Sequence, residues 1–233
     1  MRRKIKALVA VRTLSAVAAL AAALTLGNSE ARAQDEDVPR VELGVQFSSL
    51  TISEPNSFFS AGRTRTEPGA GARVTYNLNP SVAVEAEGNL FPSRSFSRVG
   101  GRTLQGQFGV KAGRRFERFG LFAKVRPGFV SFSDVVEYSA DNTVPGPGGD
   151  RFFVPSSRTR AFFSTDVGGV LEFYPSRRLV TRFDFGDTIV RYGERNDLAI
   201  DFIAPDTFRE RLIRLPAETS HNFQFSAGVG FRF

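Results

Sequence analysis

The chain of 233 residues has no Cys, no Trp, one Met and one His. Without Cys there is no disulfide staple, no thiolate metal site and no catalytic thiol. One His cannot build a multi-histidine zinc site within one chain. Helical periodicity is nearly absent after residue 34. The glycine pairs Gly100-Gly101 and Gly148-Gly149 are therefore loop turns, because no helix follows them to complete a phosphate cradle. What is present is apolar and small: 24 Phe, 22 Gly and a hydrophobic fraction of 41%. With 24% charged residues, that composition fits neither a bundle of membrane helices nor a disordered chain.

The basic balance of the chain is concentrated at its start. Arg2, Arg3, Lys4, Lys6 and Arg12 precede Thr13–Leu26, an uncharged run of 14 residues. As a helix that run is too short for about 30 Å of hydrocarbon. Ala31-Arg32-Ala33 then offers small residues where a signal peptidase reads them. We therefore expect residues 1–33 to be a secretory signal peptide for the general export route, cut before Gln34. Residues 34–233 are expected to form one β domain. Removing the leader leaves 25 basic against 23 acidic residues, a net +2. That gives no support to nucleic-acid binding.

After residue 34 the pattern is alternation with period two. Eight segments carry it, near 41–47, 70–78, 82–90, 104–112, 121–129, 163–173, 181–185 and 223–233. Short connections (77–81, 114–119, 175–178) alternate with long ones (53–66, 92–102, 134–158, 193–218). Short turns at one end and long loops at the other suit an up-and-down transmembrane barrel. Ten residues at about 3.3 Å, tilted about 40°, cover roughly 25 Å, the height of its apolar band. Four details break the pattern. Apolar parity slips between Phe47 and Leu50. Pro127 suggests a bulge. Asp187 would face lipid unless a bulge at Gly186 turns it inward. The stretch Leu198–Phe202 could extend the barrel strands or add two more, making ten.

Alternation alone leaves the faces unassigned, since a soluble lipocalin-like barrel has the same period inverted. The last strand bears on this. Phe223, Phe225, Val229, Phe231 and Phe233 share one parity, and the stretch ends on Phe. In this the chain resembles the bacterial outer-membrane β-barrel family, of the small OmpA/OmpX-like kind. The resemblance implies an all-β fold: an eight-stranded antiparallel barrel with periplasmic short turns and extracellular long loops. It also implies that the barrel-assembly machinery reads those five residues as a C-terminal signal. It covers about residue 40 onward and specifies compartment rather than activity. A peptidoglycan-binding domain is not expected, and Phe stands in for the usual Trp/Tyr girdle.

Charge balance points the same way. The polar parity carries Glu42, Glu85, Glu87, Asp166, Glu172 and Asp184 against Arg73, Lys111, Lys124, Arg126, Arg182 and Arg232. An interior filled by side chains needs such matching, because each buried charge requires a partner. Turns centred on Asn79 and Arg177 set Arg73 opposite Glu85 and Glu172 opposite Arg182, and Glu42 meets Arg232 near the periplasmic rim where the first and last strands close. Lys111 falls opposite Lys124, so one of these must find a diagonal carboxylate. The competing reading is a solvated outer face, where ion pairs also form.

Catalytic constellations are thin. His221 lies on the lipid-facing parity, and position 223, where a lipid A deacylase would have Ser, is Phe. The sequence thus leads to a non-enzymatic, cofactor-free, monomeric outer-membrane protein in envelope structure or surface interaction. Its expected partners are outer-membrane lipid and lipopolysaccharide, through Arg63, Arg65, Arg94, Arg98 and Arg102 of the long loops. A narrow solute pore and a lipid-modifying enzyme are the alternatives.

Overall fold

A strand with apolar residues on one face and charged residues on the other must separate two environments. A sheet of such strands does this without raw edges only when it closes. The computed structural model describes residues 38–53, 64–92, 101–146, 151–204 and 207–233. Residues 1–33, and with them the leader, lie outside it, as do Arg63, Arg94, Arg98, Gly100 and Gly148-Gly149. Its strands are β1 Val41–Ser53, β2 Thr64–Asn79, β3 Val82–Phe91, β4 Thr103–Arg115, β5 Phe119–Glu137, β6 Thr143–Pro145, β7 Arg151–Phe153, β8 Ser156–Phe173, β9 Leu179–Tyr192, β10 Arg195–Ala204, β11 Thr207–Leu215 and β12 Glu218–Arg232. Eight of them, β1, β2, β3, β4, β5, β8, β9 and β12, close into an antiparallel barrel in that order. β1 seals it against β12, from Glu42 opposite Arg232 to Leu50 opposite Gln224.

The remaining strands form two hairpins, β6–β7 and β10–β11, each a separate two-stranded sheet. Leu198–Phe202 belongs to β10 and pairs with β11, from Leu198 opposite Leu212 to Phe202 opposite Phe208. The barrel count is therefore eight, not ten. β5 and β8 run on together to Glu137 and Ser156, well past the reach of the apolar band.

The faces are assigned by exposure. Val45, Phe108, Phe163 and Phe233 point outward at 60–63% exposed. Arg126, Arg182, Lys111, Asp166 and Glu172 point inward and are fully buried. Going up the lumen, the inward side chains change in kind. The charged residues fill the periplasmic half. Above them lies a layer of amides and hydroxyls: Gln46 donates to Asn89 at 2.9 Å, Asn89 to Gln105 at 2.8 Å and Gln105 to Gln224 at 2.8 Å. Above that the lumen is apolar. Leu50, Ile52 and Phe91 pack with Phe132, and Val130, Val190 and Tyr192 pack with Phe132 and Phe162.

This layering explains the first irregularity. Parity does not slip in β1: Ser48, Leu50 and Ile52 all face inward, and the lumen itself turns apolar at that level. The other two bulges are also corrected. Pro127 stays in register opposite Thr165, and the shift in β5 falls at Phe132/Val135. At Pro127 the pairing with β4 only lapses, between Gln107–Gly128 and Val110–Val125, because proline has no N–H to give the ladder. β9 holds one register through Gly186 on both sides. Asp187 therefore remains on the outer face.

Candidate functional site

The chemistry of the barrel is concentrated in its charged layer, where neighbouring strands each contribute one or two inward groups. Arg182 of β9 is the hub. Its guanidinium donates to both oxygens of Glu85 (Nη2 to Oε2, 2.8 Å) and to both oxygens of Asp184, at 2.7 and 2.9 Å. Arg126 of β5 donates to Asp166 at 2.6 and 2.9 Å and to Glu87 at 2.5 Å. Lys124 reaches Asp166 at 2.8 Å and Asp184 at 3.2 Å. Lys111 is bound to Glu172 and lies 3.5 Å from Glu85. These bonds cross the lumen between strands far apart in sequence, which a chance pairing on a solvated face would not do. All twelve residues read from the sequence are buried here, Glu42 and Arg232 at the periplasmic rim included.

Three of the four pairings hold. Glu42 stands opposite Arg232, with Arg232 Nε 3.3 Å from the carboxylate. Glu172 stands opposite Arg182, although its main partner is Lys111. Lys111 and Lys124 do face each other, and both find acids elsewhere. The fourth is wrong: Arg73 is opposite Glu87, not Glu85, because the β2–β3 turn falls at Pro80-Ser81 rather than being centred on Asn79. Asn79 Oδ1 accepts from the backbone N–H groups of Ser81 and Val82, both at 2.8 Å. This side-chain turn tightens the hairpin. Arg73 instead reaches across the lumen to Asp184 at 3.6 Å and donates to Gln46 at 3.0 Å.

One inward cation escapes the sequence reading. Apolar alternation puts Arg115 in the 114–119 connection, whereas in the structure it extends β4 on the parity of Lys111 and Gly113. Parity alone could have found it. Its guanidinium lies 3.5 Å from Glu42 and 3.6 Å from Glu172. It also donates from Nε to the Tyr174 hydroxyl at 2.9 Å, which donates in turn to Glu172 at 2.9 Å. Burial, with the Glu172 carboxylate beside it, holds the Tyr174 phenol well above its usual range. It therefore remains a donor.

On the outer face, Asp187 is compensated rather than hidden. His221 Nδ1 lies 2.5 Å from its carboxylate and the Asn222 N–H donates to it at 2.9 Å. Among the described residues the partner shown for that imidazole is Asp187. No group of three or more His, Asp or Glu suited to a metal ion occurs among the described residues. The five C-terminal residues Phe223, Phe225, Val229, Phe231 and Phe233 all face outward.

A family model for the outer membrane protein beta-barrel domain matches residues 16–233. The chain belongs to this family. The family places the chain, an antiparallel barrel of eight strands, in the outer membrane. Among solved structures, Ail, the attachment invasion locus protein of Yersinia pestis, is similar at 13% identity over 84% of this chain and 99% of its own, TM-score 0.45. Neisserial surface protein A (NspA) is similar at 11% identity over 83% and 97%, TM-score 0.47. The N-terminal barrel domain of Pseudomonas aeruginosa OprF gives 11% over 84% and 98%, TM-score 0.44. A comparison with curated proteins finds no match.

Proposed function

We propose that this outer-membrane barrel is a non-enzymatic, sealed platform for surface interaction. The carrying observation is the filled lumen. A continuous ion-pair layer, an amide layer and an apolar plug of Leu50, Ile52, Phe91, Phe132 and Tyr192 occupy successive levels. A solute would have to displace buried charges and then cross an apolar constriction. What the barrel presents instead is the β5–β8 extension and the β6–β7 and β10–β11 hairpins. These regions and the long loops carry arginines, Arg65, Arg102, Arg158, Arg209 and Arg211 among them. That chemistry suits phosphate groups of lipopolysaccharide or an anionic surface ligand. The precursor is exported and cut before Gln34, the monomer needs no cofactor, and assembly reads the outward Phe223–Phe233 row. Planar-bilayer recording with pure protein tests the seal: the wild type should give no unitary conductance, and steady single-channel steps would overturn the reading.

The outward His221–Asp187 pair favours one second reading, a lipid-modifying enzyme, since an acid-oriented imidazole is part of a hydrolase. Mass spectra of lipid A and phospholipid from cells with and without the protein separate the two. Identical spectra support the platform, and a modification that vanishes in His221→Ala supports the enzyme.

A further inference from the structure

The missed Arg115 changes the charge count. With it, the periplasmic-side layer holds seven cations against six carboxylates, and Arg115 itself sits at the mouth. There a cavity of about 1000 Å³ is lined by Arg115, Arg177, Arg178, Arg232 and Glu117. Against these four guanidiniums stand four carboxylates: Glu42, Glu117, the Phe233 carboxylate and Glu172, the last shared with Lys111 and Arg182. Two of the cations are deeply sunk, with Arg115 10% and Arg232 6% exposed. Both hold donors that are not used. Arg115 Nη1 and Arg232 Nε are buried and make no hydrogen bond to any described residue. Arg232 Nε lies 3.3 Å from Glu42 Oε1 without the alignment to donate to it, and Glu42 Oε2 is itself unpaired among the described residues. A buried donor without an acceptor is costly, more so when charged.

The mouth is built to hold these groups in place. The Arg232 guanidinium stacks 4.6 Å from the Tyr174 ring centroid, with Arg115 5.3 Å from the same centroid. Tyr174 fixes Arg115 through Nε. Arg177 and Arg178 come from the β8–β9 turn, a different wall. A carboxylate offers two oxygens in one plane. A phosphate group offers oxygens in several directions and suits guanidinium forks arriving from different walls.

We propose that the periplasmic mouth binds one phosphate group, with Arg115 and Arg232 as the buried donors and Arg177 and Arg178 as the outer ones. Phe231 and Phe233, which end the apolar band, line the same cavity. The site therefore lies at headgroup depth, and the phosphate is either free or the headgroup of an inner-leaflet phospholipid.

The test uses the protein refolded in uncharged maltoside micelles and phosphate-free buffer. Calorimetric titration with inorganic phosphate should show one saturable site, weakened at least tenfold in an Arg177→Gln/Arg178→Gln double variant. Both substitutions are in a turn, and the heat-dependent gel shift verifies folding. In parallel, native mass spectrometry of protein released from nanodiscs containing phosphatidylglycerol counts retained lipids. One retained lipid, lost in the double variant, identifies a headgroup as the source when free phosphate gives no heat. No phosphate heat and no retained lipid overturns the proposal, as does equal binding by wild type and double variant. So does phosphate binding seen only in an Asp35→Asn/Glu36→Gln/Asp37→Asn variant, because the chain's own acids would then be the occupant.

Discussion

Removing one negative charge from the lumen should be far more damaging than its side-chain volume suggests. Glu85 is the best place to do it. It is 1% exposed, accepts two hydrogen bonds from Arg182 and one from Thr75 at 3.1 Å, and has Lys111 at 3.5 Å and Arg126 at 3.6 Å. Glu85→Gln keeps the shape and one acceptor. It raises the cation surplus of the layer from one to two. Breaking a buried pair costs about 3–5 kcal/mol, and the surviving amide acceptor puts the expectation near the lower figure, about 3 kcal/mol. With an urea dependence of about 2 kcal/mol per molar, the unfolding midpoint in micelles should fall by roughly 1.5 M. The double variant Glu85→Gln/Lys111→Gln restores the original surplus, since Glu172 keeps Arg182 at 3.5 Å and Arg115 at 3.6 Å. It should be more stable than the single-mutant losses sum to, by about 1–3 kcal/mol. Circular dichroism and the heat-dependent gel shift follow both. A Glu85→Gln midpoint equal to wild type would refute the reasoning, because it would mean these charges are solvated. Strict additivity of the double variant would refute the shared network.

Phe108→Arg, outward at 62% exposed, should cost about 2–4 kcal/mol if it lies near the membrane midplane, read as reversible unfolding into lipid vesicles. His221→Ala leaves the Asp187 carboxylate without its imidazole. It should cost about 1 kcal/mol, as expected of a largely exposed pair, and Asp187→Asn in the same background should recover most of it. The Arg160 hydrogen bond holds the Glu137 carboxyl below its ordinary 4.5. A depressed folded-state value stabilises above the ordinary one and is lost as pH falls below it, so Glu137→Gln should flatten the acid limb of the stability curve. The exposed position limits that change to under about 1 kcal/mol, and an unchanged acid limb would show the bond to be idle.

Period two is a property of the backbone, so the barrel strands and the residues that share a face were legible wherever strands kept strict alternation. Which face meets lipid needed the charge balance and the last strand as well. Phe223–Phe233 is the clearest case. The inward charges were legible for the same reason, since Arg126 or Glu172 can only share the face of its parity. Three-dimensional partners were not. Glu172 binds Lys111 more closely than the Arg182 opposite it, because long side chains cross a narrow lumen as readily as they meet a neighbour. The turn at Pro80-Ser81, held by Asn79, moved Arg73 by two residues through a hydrogen-bond detail that no alternation pattern records. Arg115 was missed because strand ends are assigned from apolar residues, and β4 ends on Gly113-Arg114-Arg115. Asp187 was misjudged by assuming a carboxylate must be hidden. The fold compensates it on the surface with His221 from the next strand. The hairpin β10–β11 has the same alternation as the barrel strands, and only its closed two-strand pairing sets it apart.

Because the chain has no Cys, each introduced one is a unique probe of side-chain direction. Single Cys substitutions at Leu104, Gln105, Gln107, Phe108, Val110 and Lys111 of β4, labelled with bimane and reconstituted with nitroxide-bearing lipid, read that direction residue by residue. Quenching should be strong at 104, 108 and 110 and weak at 105, 107 and 111. The reverse alternation, or none, would contradict a barrel that turns its hydrocarbon outward and its ion pairs in.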